Sequence, residues 1–203
     1  MKARSQVLTR RDEILVASAR LFKQKGYAST TMREIADQVG MEAASMYNHI
    51  KSKDELLKDI CFRVAEMFGK QLDAIDASNA SPVQKLKELI RLHIRMVCKD
   101  TEIISVANHE WKHLPEPALQ TYKKARLSYE NRLAVVIQEG IDRGEIENVH
   151  VTAALYTILS AIRWIEAWYK PGKNMHPTAL EETISRILMN GLINRNTTNH
   201  EVL

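Results

Sequence analysis

A chain of 203 residues with 45% hydrophobic and 27% charged side chains is long enough for a substantial core, and its composition is ordinary for a globular protein. No apolar run approaches the roughly 18 residues that a membrane span needs, so no membrane partner is expected. The net charge of +4 is modest, and the two unclustered cysteines, Cys61 and Cys98, argue against a disulfide frame or a metal knuckle and for reduced thiols in a cytoplasmic protein.

In chain order, residues 1–8 read as a polar, basic arm without the apolar run of a secretory signal. Thr9 is placed to cap a first helix reaching Lys25, with Ile14, Leu15, Ala17, Leu21 and Phe22 at helical spacing and Gly26 closing it. Thr31 with Glu34, and Ser52 with Glu55, each fit a capping box. Between them Ile35, Ala36 and Val39 mark one short helix, and Met46 and Ile50 a second, on either side of Gly40. Two short helices about a glycine turn are a helix-turn-helix pattern, with Ala43, Ala44, Ser45 and Asn48 on the free face of the second.

A long helix is expected from Ser52 to about Ala77, and another from Pro82 to Lys99 carrying Val83, Leu86, Leu89, Ile90, Ile94 and Val97. Further helices are expected over Thr101–His113, Ala118–Asp142 and Val149–Tyr169, the last capped by Asn148 and ended by Pro171-Gly172. A final one runs from Pro177 to about Asn194. With no alternating strand pattern, the expected fold is all-α with roughly nine helices. It divides into a three-helix helix-turn-helix head over residues 1–53 and a larger helical body over residues 54–203. Charge follows the same division: residues 1–53 hold ten Lys/Arg against five Asp/Glu, and the remainder nineteen against twenty. A basic head on a neutral body is the footprint of a nucleic-acid-binding module.

These residues resemble the TetR-like family of transcriptional repressors. The likeness is carried by Ala19-Arg20-Leu21-Phe22 with Gly26-Tyr27, Thr30 to Ala36, Gly40, and the run Met46-Tyr47-Asn48-His49-Ile50-Lys51-Ser52-Lys53-Asp54-Glu55-Leu56-Leu57. It implies a homodimer on a palindromic double-stranded operator, with two reading helices in successive major grooves. Under it Thr31, Tyr47, His49 and Lys53 fall at backbone-phosphate contacts, which fix register without reading sequence. Arg33 falls where a guanidinium reaches a base edge, and Ala43, Ala44, Ser45 and Asn48 face the groove. His109-Glu110-Trp111, Trp164 and Trp168-Tyr169-Lys170-Pro171 resemble a subgroup that responds to acyl-CoA thioesters.

The body carries the remaining expectations. The stretch Val151 to Trp168 is apolar nearly all round, which calls for burial on more than one side. Leu155, Ile158 and Ile162, with Ile184, Ile187, Leu188 and Leu192 of the last helix, are therefore expected in a four-helix dimer interface. Trp111, Tyr129, Trp164 and Trp168 suit an apolar effector pocket, with Arg126 and Arg163 for the phosphates of an acyl-CoA. A cationic effector would instead look to Glu66 and Glu166. His109 to His113 also spells H-E-x-x-H, a zinc-hydrolase pattern, but Pro115 follows at once and Glu116 and Leu119 stand where the extended form needs Gly and His. No enzyme, metal or cofactor is expected.

Overall fold

The computed structural model describes residues 9–170, 172–173 and 175–190. Among these every regular element is helical: α1 (Arg10–Lys25), α2 (Met32–Gln38), α3 (Ala43–Met46), α4 (Lys53–Asp76), α5 (Pro82–Lys99), α6 (Thr101–His109), a 3-10 turn (Trp111–His113), α7 (Ala118–Asp142), α8 (Val151–Arg163), α9 (Ile165–Trp168) and α10 (Pro177–Asn190). The all-α expectation holds. None of these helices is long and apolar enough to cross a membrane. The expected arm over residues 1–8, Pro171, and the extension of α10 through Leu192 to Asn194 lie outside the described residues.

The chain forms two compact units. One holds the described residues up to Gly69 with Asp100–Ser128, the other Lys70–Lys99 with the described residues from Tyr129 onward. Residue 53, the boundary expected from the sequence, is the first residue of α4 and lies inside the first unit.

In the first unit α1 packs on α6 and α2, and α2 on α3. The expected box at Thr31 forms, and Thr9, expected as a cap, forms a further one with Asp12. Thr9 and Asp12 bond reciprocally at the start of α1, as do Thr31 and Glu34 at the start of α2. Gly26 and Gly40 take φ of 85° and 64°, a region costly for any residue with a Cβ. Ile14, Phe22, Ile35, Met46, Ile50, Leu56, Leu57 and Ile60 are fully buried, so one core knits α1 to α4.

The sequence overruns the end of α6. The α-helix stops at His109, and the donations of His113 N–H to Glu110 O (3.0 Å) and of Leu114 N–H to Trp111 O (3.1 Å) tighten the chain into a 3-10 turn. Leu114 is extended, as a residue before proline must be, and the tightening begins upstream of it. His109 and His113 are therefore not one α-turn apart. His113 stacks on the Tyr27 ring, with centroids 5.4 Å apart, and lies 3.5 Å from Glu110.

In the second unit α8, α9 and α10 all pack on α5. Arg95 grips the buried Glu181 of α10 through two bonds of 2.7 and 2.8 Å. The single helix expected over Val149–Tyr169 begins at Val151, with His150 and not Asn148 at its cap position, and breaks at Trp164. Ala167 N–H donates to Trp164 O at 3.0 Å, a three-residue closure. Ile158, Ile162, Ile165 and Tyr169 are all buried at spacings of four, three and four, those of one helix face, and Trp164 at the break is exposed. Within the apolar face of α5 sits His93. Its Nδ1 is 3.1 Å from Leu89 O, which only accepts, so Nδ1 carries the proton and Nε2 accepts from the Tyr129 hydroxyl at 3.2 Å. Burial drives the His93 pKa down to about 4.

Two tests of this packing follow from it. A Cβ on Gly140 would come within 2.5 Å of Ile146 Cδ1, 2.8 Å of its Cγ1 and 3.3 Å of Pro82 Cβ. Gly→Ala in a helix usually stabilises, but Gly140→Ala should destabilise by about 1–3 kcal/mol in chemical denaturation. Combined with Ile146→Ala, it should cost less than the sum of the two single changes. Because the folded pKa of His93 lies below its unfolded value near 6.5, stability is full above that value and falls as pH drops toward 4. The loss should reach about 3 kcal/mol, and His93→Gln should flatten this part of the stability–pH curve relative to wild type.

Candidate nucleic-acid interface

The candidate reading head is built from α2, the turn Val39–Glu42, the four-residue α3 and the turn that follows it. Met41 N–H closes back on Ala36 O at 2.9 Å, and Gly40 supplies the left-handed residue that the turn requires. A helix of one turn cannot hold itself. Met46 and Ile50 pin α3 to the core from below. Two arginines of α1 hold its flanks: Arg10 donates to Val39 O before it, and Arg11 donates to His49 O after it, both at 2.9 Å.

Arg11 also pairs with Glu55 at 2.7 Å and Asp59 at 2.5 Å on α4, and this bonding holds the Glu55 carboxyl below its usual range. Glu55 in turn accepts from Lys51 N–H at 2.8 Å, while its own N–H donates to Ser52 Oγ at 3.1 Å. The expected box at Ser52 is thus half formed, its return bond made one residue earlier.

Of the expected DNA contacts, Thr31, Arg33, Ala44, Ser45, Tyr47, Asn48 and His49 are exposed, Tyr47 by 53%. Ala43 and Lys53 are half-buried. The Thr31 hydroxyl is engaged with Glu34, whose carboxyl is pulled down to about 2, chiefly by Lys25 and then by Thr31. Lys53 points inward. Its Nζ donates to the carbonyls of Tyr27 (2.8 Å), Ala28 (3.3 Å) and Thr30 (2.9 Å), and it lies 4.4 Å from the centroid of the Tyr27 ring. The Tyr27 hydroxyl bonds Asp54, the next residue of α4, and burial followed by this bond raises its pKa.

The expected effector contacts fall in both units. In the first, Trp111 is half-buried with the Arg126 guanidinium 5.0 Å from its ring centroid. In the second, Tyr129 bonds His93, and Arg163 is tied to Glu130 at 2.9 Å. Trp164 and Trp168 are exposed by 63% and 40% and stand on the surface of the chain. Leu155, Ile158 and Ile162, expected at a dimer interface, are buried within the chain itself; Ile184 and Leu188 are half-buried, and Ile187 is exposed. The large apolar side chains that α8 and its neighbours present outward include Tyr156, Trp164, Trp168 and Ile187. His93 was missed in the sequence, where its only signal is a histidine inside the apolar stripe of α5.

Known proteins with this arrangement are regulators. The description "Bacterial regulatory proteins, tetR family" matches residues 14–60, and "Tetracyclin repressor-like, C-terminal domain" matches residues 79–192, more than half of the chain. The transcriptional repressor KstR2 of Mycolicibacterium smegmatis is 26% identical over 191 residues, covering 93% of each chain. Among solved structures, AibR in complex with isovaleryl coenzyme A and operator DNA is 26% identical with a TM-score of 0.78, covering 89% of this chain and 98% of that one. The ketosteroid regulator KstR2 of Mycobacterium tuberculosis shares the fold at a TM-score of 0.86 and 22% identity, covering 96% and 100%. The chain therefore belongs to the TetR family of bacterial regulatory proteins, and it is a transcriptional regulator, not an enzyme.

Proposed function

We propose that the protein is a homodimeric transcriptional repressor that binds a palindromic operator when free and is released by a small hydrophobic effector, an acyl-CoA thioester. The observation that carries the DNA-binding part is the exposed tip of the head. Ala44 and Ser45 stand in solvent on α3 and Tyr47, Asn48 and His49 on the turn that follows it, with Thr31 at the cap of α2 and Arg33 in its first turn also exposed. In this reading Thr31, Tyr47 and His49 engage backbone phosphates, Arg33 and Asn48 read base edges, and Ala43 and Ala44 offer methyl groups. Residues 1–53 act as the reading head and residues 54–203 as the effector-binding and dimerising body.

Dimerisation through α8 and α10 accounts for the outward Tyr156, Trp164 and Ile187, which a symmetry mate would cover. The inward Leu155, Ile158 and Ile162 then support that face from beneath. The effector reading rests on the likeness to AibR, a protein solved with isovaleryl coenzyme A and operator DNA. Within the second unit the neutral His93–Tyr129 pair offers hydrogen bonding among apolar side chains, the chemistry of a thioester site. In the first, Arg126 over Trp111 offers a cation and an aromatic face. The effector acts through its difference in affinity between two conformers, favouring one whose reading heads are wrongly spaced.

Selection of duplexes from a randomised pool by the full-length protein tests the reading. Recovered sites should be palindromes with half-sites about one helical turn apart. Arg33→Ala should weaken binding to them by about 1–3 kcal/mol and relax preference at one position in each half-site. A pool with no sequence enriched over random DNA would sink the repressor assignment.

A further inference from the structure

Lys53 is the residue that resemblance hands to a DNA phosphate, and the geometry gives it other work. An ammonium group has three N–H donors and no acceptor. Here the carbonyls of Tyr27, Ala28 and Thr30 lie at 2.8, 3.3 and 2.9 Å from Nζ, one for each donor. The ammonium also sits 4.4 Å from the centroid of the Tyr27 ring, a further favourable contact for its charge. A phosphate oxygen would have to displace one of these carbonyls, which would then lose its charged donor.

The three carbonyls belong to the loop between α1 and α2, which ends at Thr31, the cap of α2. Asp54 takes the Tyr27 hydroxyl beside them, so the first two residues of α4 hold this loop at two points. Thr30 is itself buried, and its hydroxyl donates to Gly26 O at 2.9 Å, which ties the loop back to the end of α1. We infer that Lys53 is a positioning residue. Its ammonium organises the α1–α2 loop and thereby sets where the exposed Thr31 and Arg33 at the start of α2 stand, and it acts on DNA affinity through them, without contacting DNA. A direct consequence is that the first turn of α4 and the N-terminal end of α2 move together. The inference rests on the repressor reading only for its effect on DNA; the anchoring of the loop stands without it.

Salt dependence separates the two roles, because each phosphate contact made by a lysine contributes about one to the slope of log affinity against log salt concentration. The experiment compares full-length wild type, Lys53→Met and Lys53→Arg on a duplex recovered by selection, across a salt series. Amide hydrogen exchange of the same proteins is followed without DNA. Positioning predicts that Lys53→Met binds about tenfold more weakly with the slope unchanged, and that amides of residues 28–34 exchange faster while those of α5 do not.

Lys53→Arg keeps the charge, but a planar guanidinium cannot aim three donors at carbonyls gathered around one point, so it should fail to restore affinity. A slope reduced by about one, with unchanged exchange and near-wild-type binding by Lys53→Arg, would overturn the inference in favour of a phosphate contact. Unchanged affinity and exchange in Lys53→Met would overturn it outright. If wild type binds no duplex, the repressor reading fails, and the exchange measurement alone still decides whether Lys53 anchors the loop. Should Lys53→Met fold too poorly to measure, Lys53→Arg carries both readouts.

Discussion

A four-residue helix has no stability of its own, and α3 is one. Nucleating a helical turn costs more than one turn returns, so its geometry has to be imposed by its surroundings. Met46 and Ile50 supply the apolar side of that constraint and the Arg10 and Arg11 side chains the polar side, one on each flank. The guanidinium of Arg11 meets a carbonyl and two carboxylates at once, which suits a planar group with five donors better than it would suit a lysine. Position and orientation of the reading surface are thus properties of α1 and α4 as much as of α3.

This changes what the basic charge of the head means. By count, residues 1–53 carry a clear surplus of Lys and Arg. Arg10, Arg11, Lys25 and Lys53 are nevertheless engaged with carbonyls or carboxylates of the same unit. Exposed pairs such as Lys25 with Glu34 contribute little to stability, but they lower the charge presented to a polyanion. Exposed cations that remain at the reading surface include Arg33 and Lys51. In the proposed function, binding through few phosphate and base contacts depends on accurate placement, which the internal cations favour.

The starts of α1 and α2 were legible because capping is local chemistry: Thr9 as a cap, and Thr31 with Glu34 three residues on, need no tertiary context. Interior breaks were not. Across Glu110 and Trp164 the apolar period continues, so periodicity carries no sign of either break. For the same reason Leu155, Ile158 and Ile162 read as available for a partner: periodicity says which residues are apolar, not which neighbour covers them. Lys53 and His93 show the opposite limit. A lysine at a helix start reads as a solvated charge and a histidine in an apolar stripe as a core oddity. Their roles come from carbonyls of a distant loop and from a tyrosine 36 residues away.

What joins these parts in the proposed function is control of the reading head by an effector. The chain passes from one unit to the other within α4, whose first turn holds the α1–α2 loop. The most direct test is fluorescence anisotropy of a labelled selected duplex bound by the full-length protein while isovaleryl-CoA and longer acyl-CoA thioesters are titrated in, with free coenzyme A and the matching carboxylic acids as comparators. The account predicts release by at least one thioester at concentrations where neither comparator acts. Retention of the duplex with every thioester, or equal release by coenzyme A alone, would contradict it.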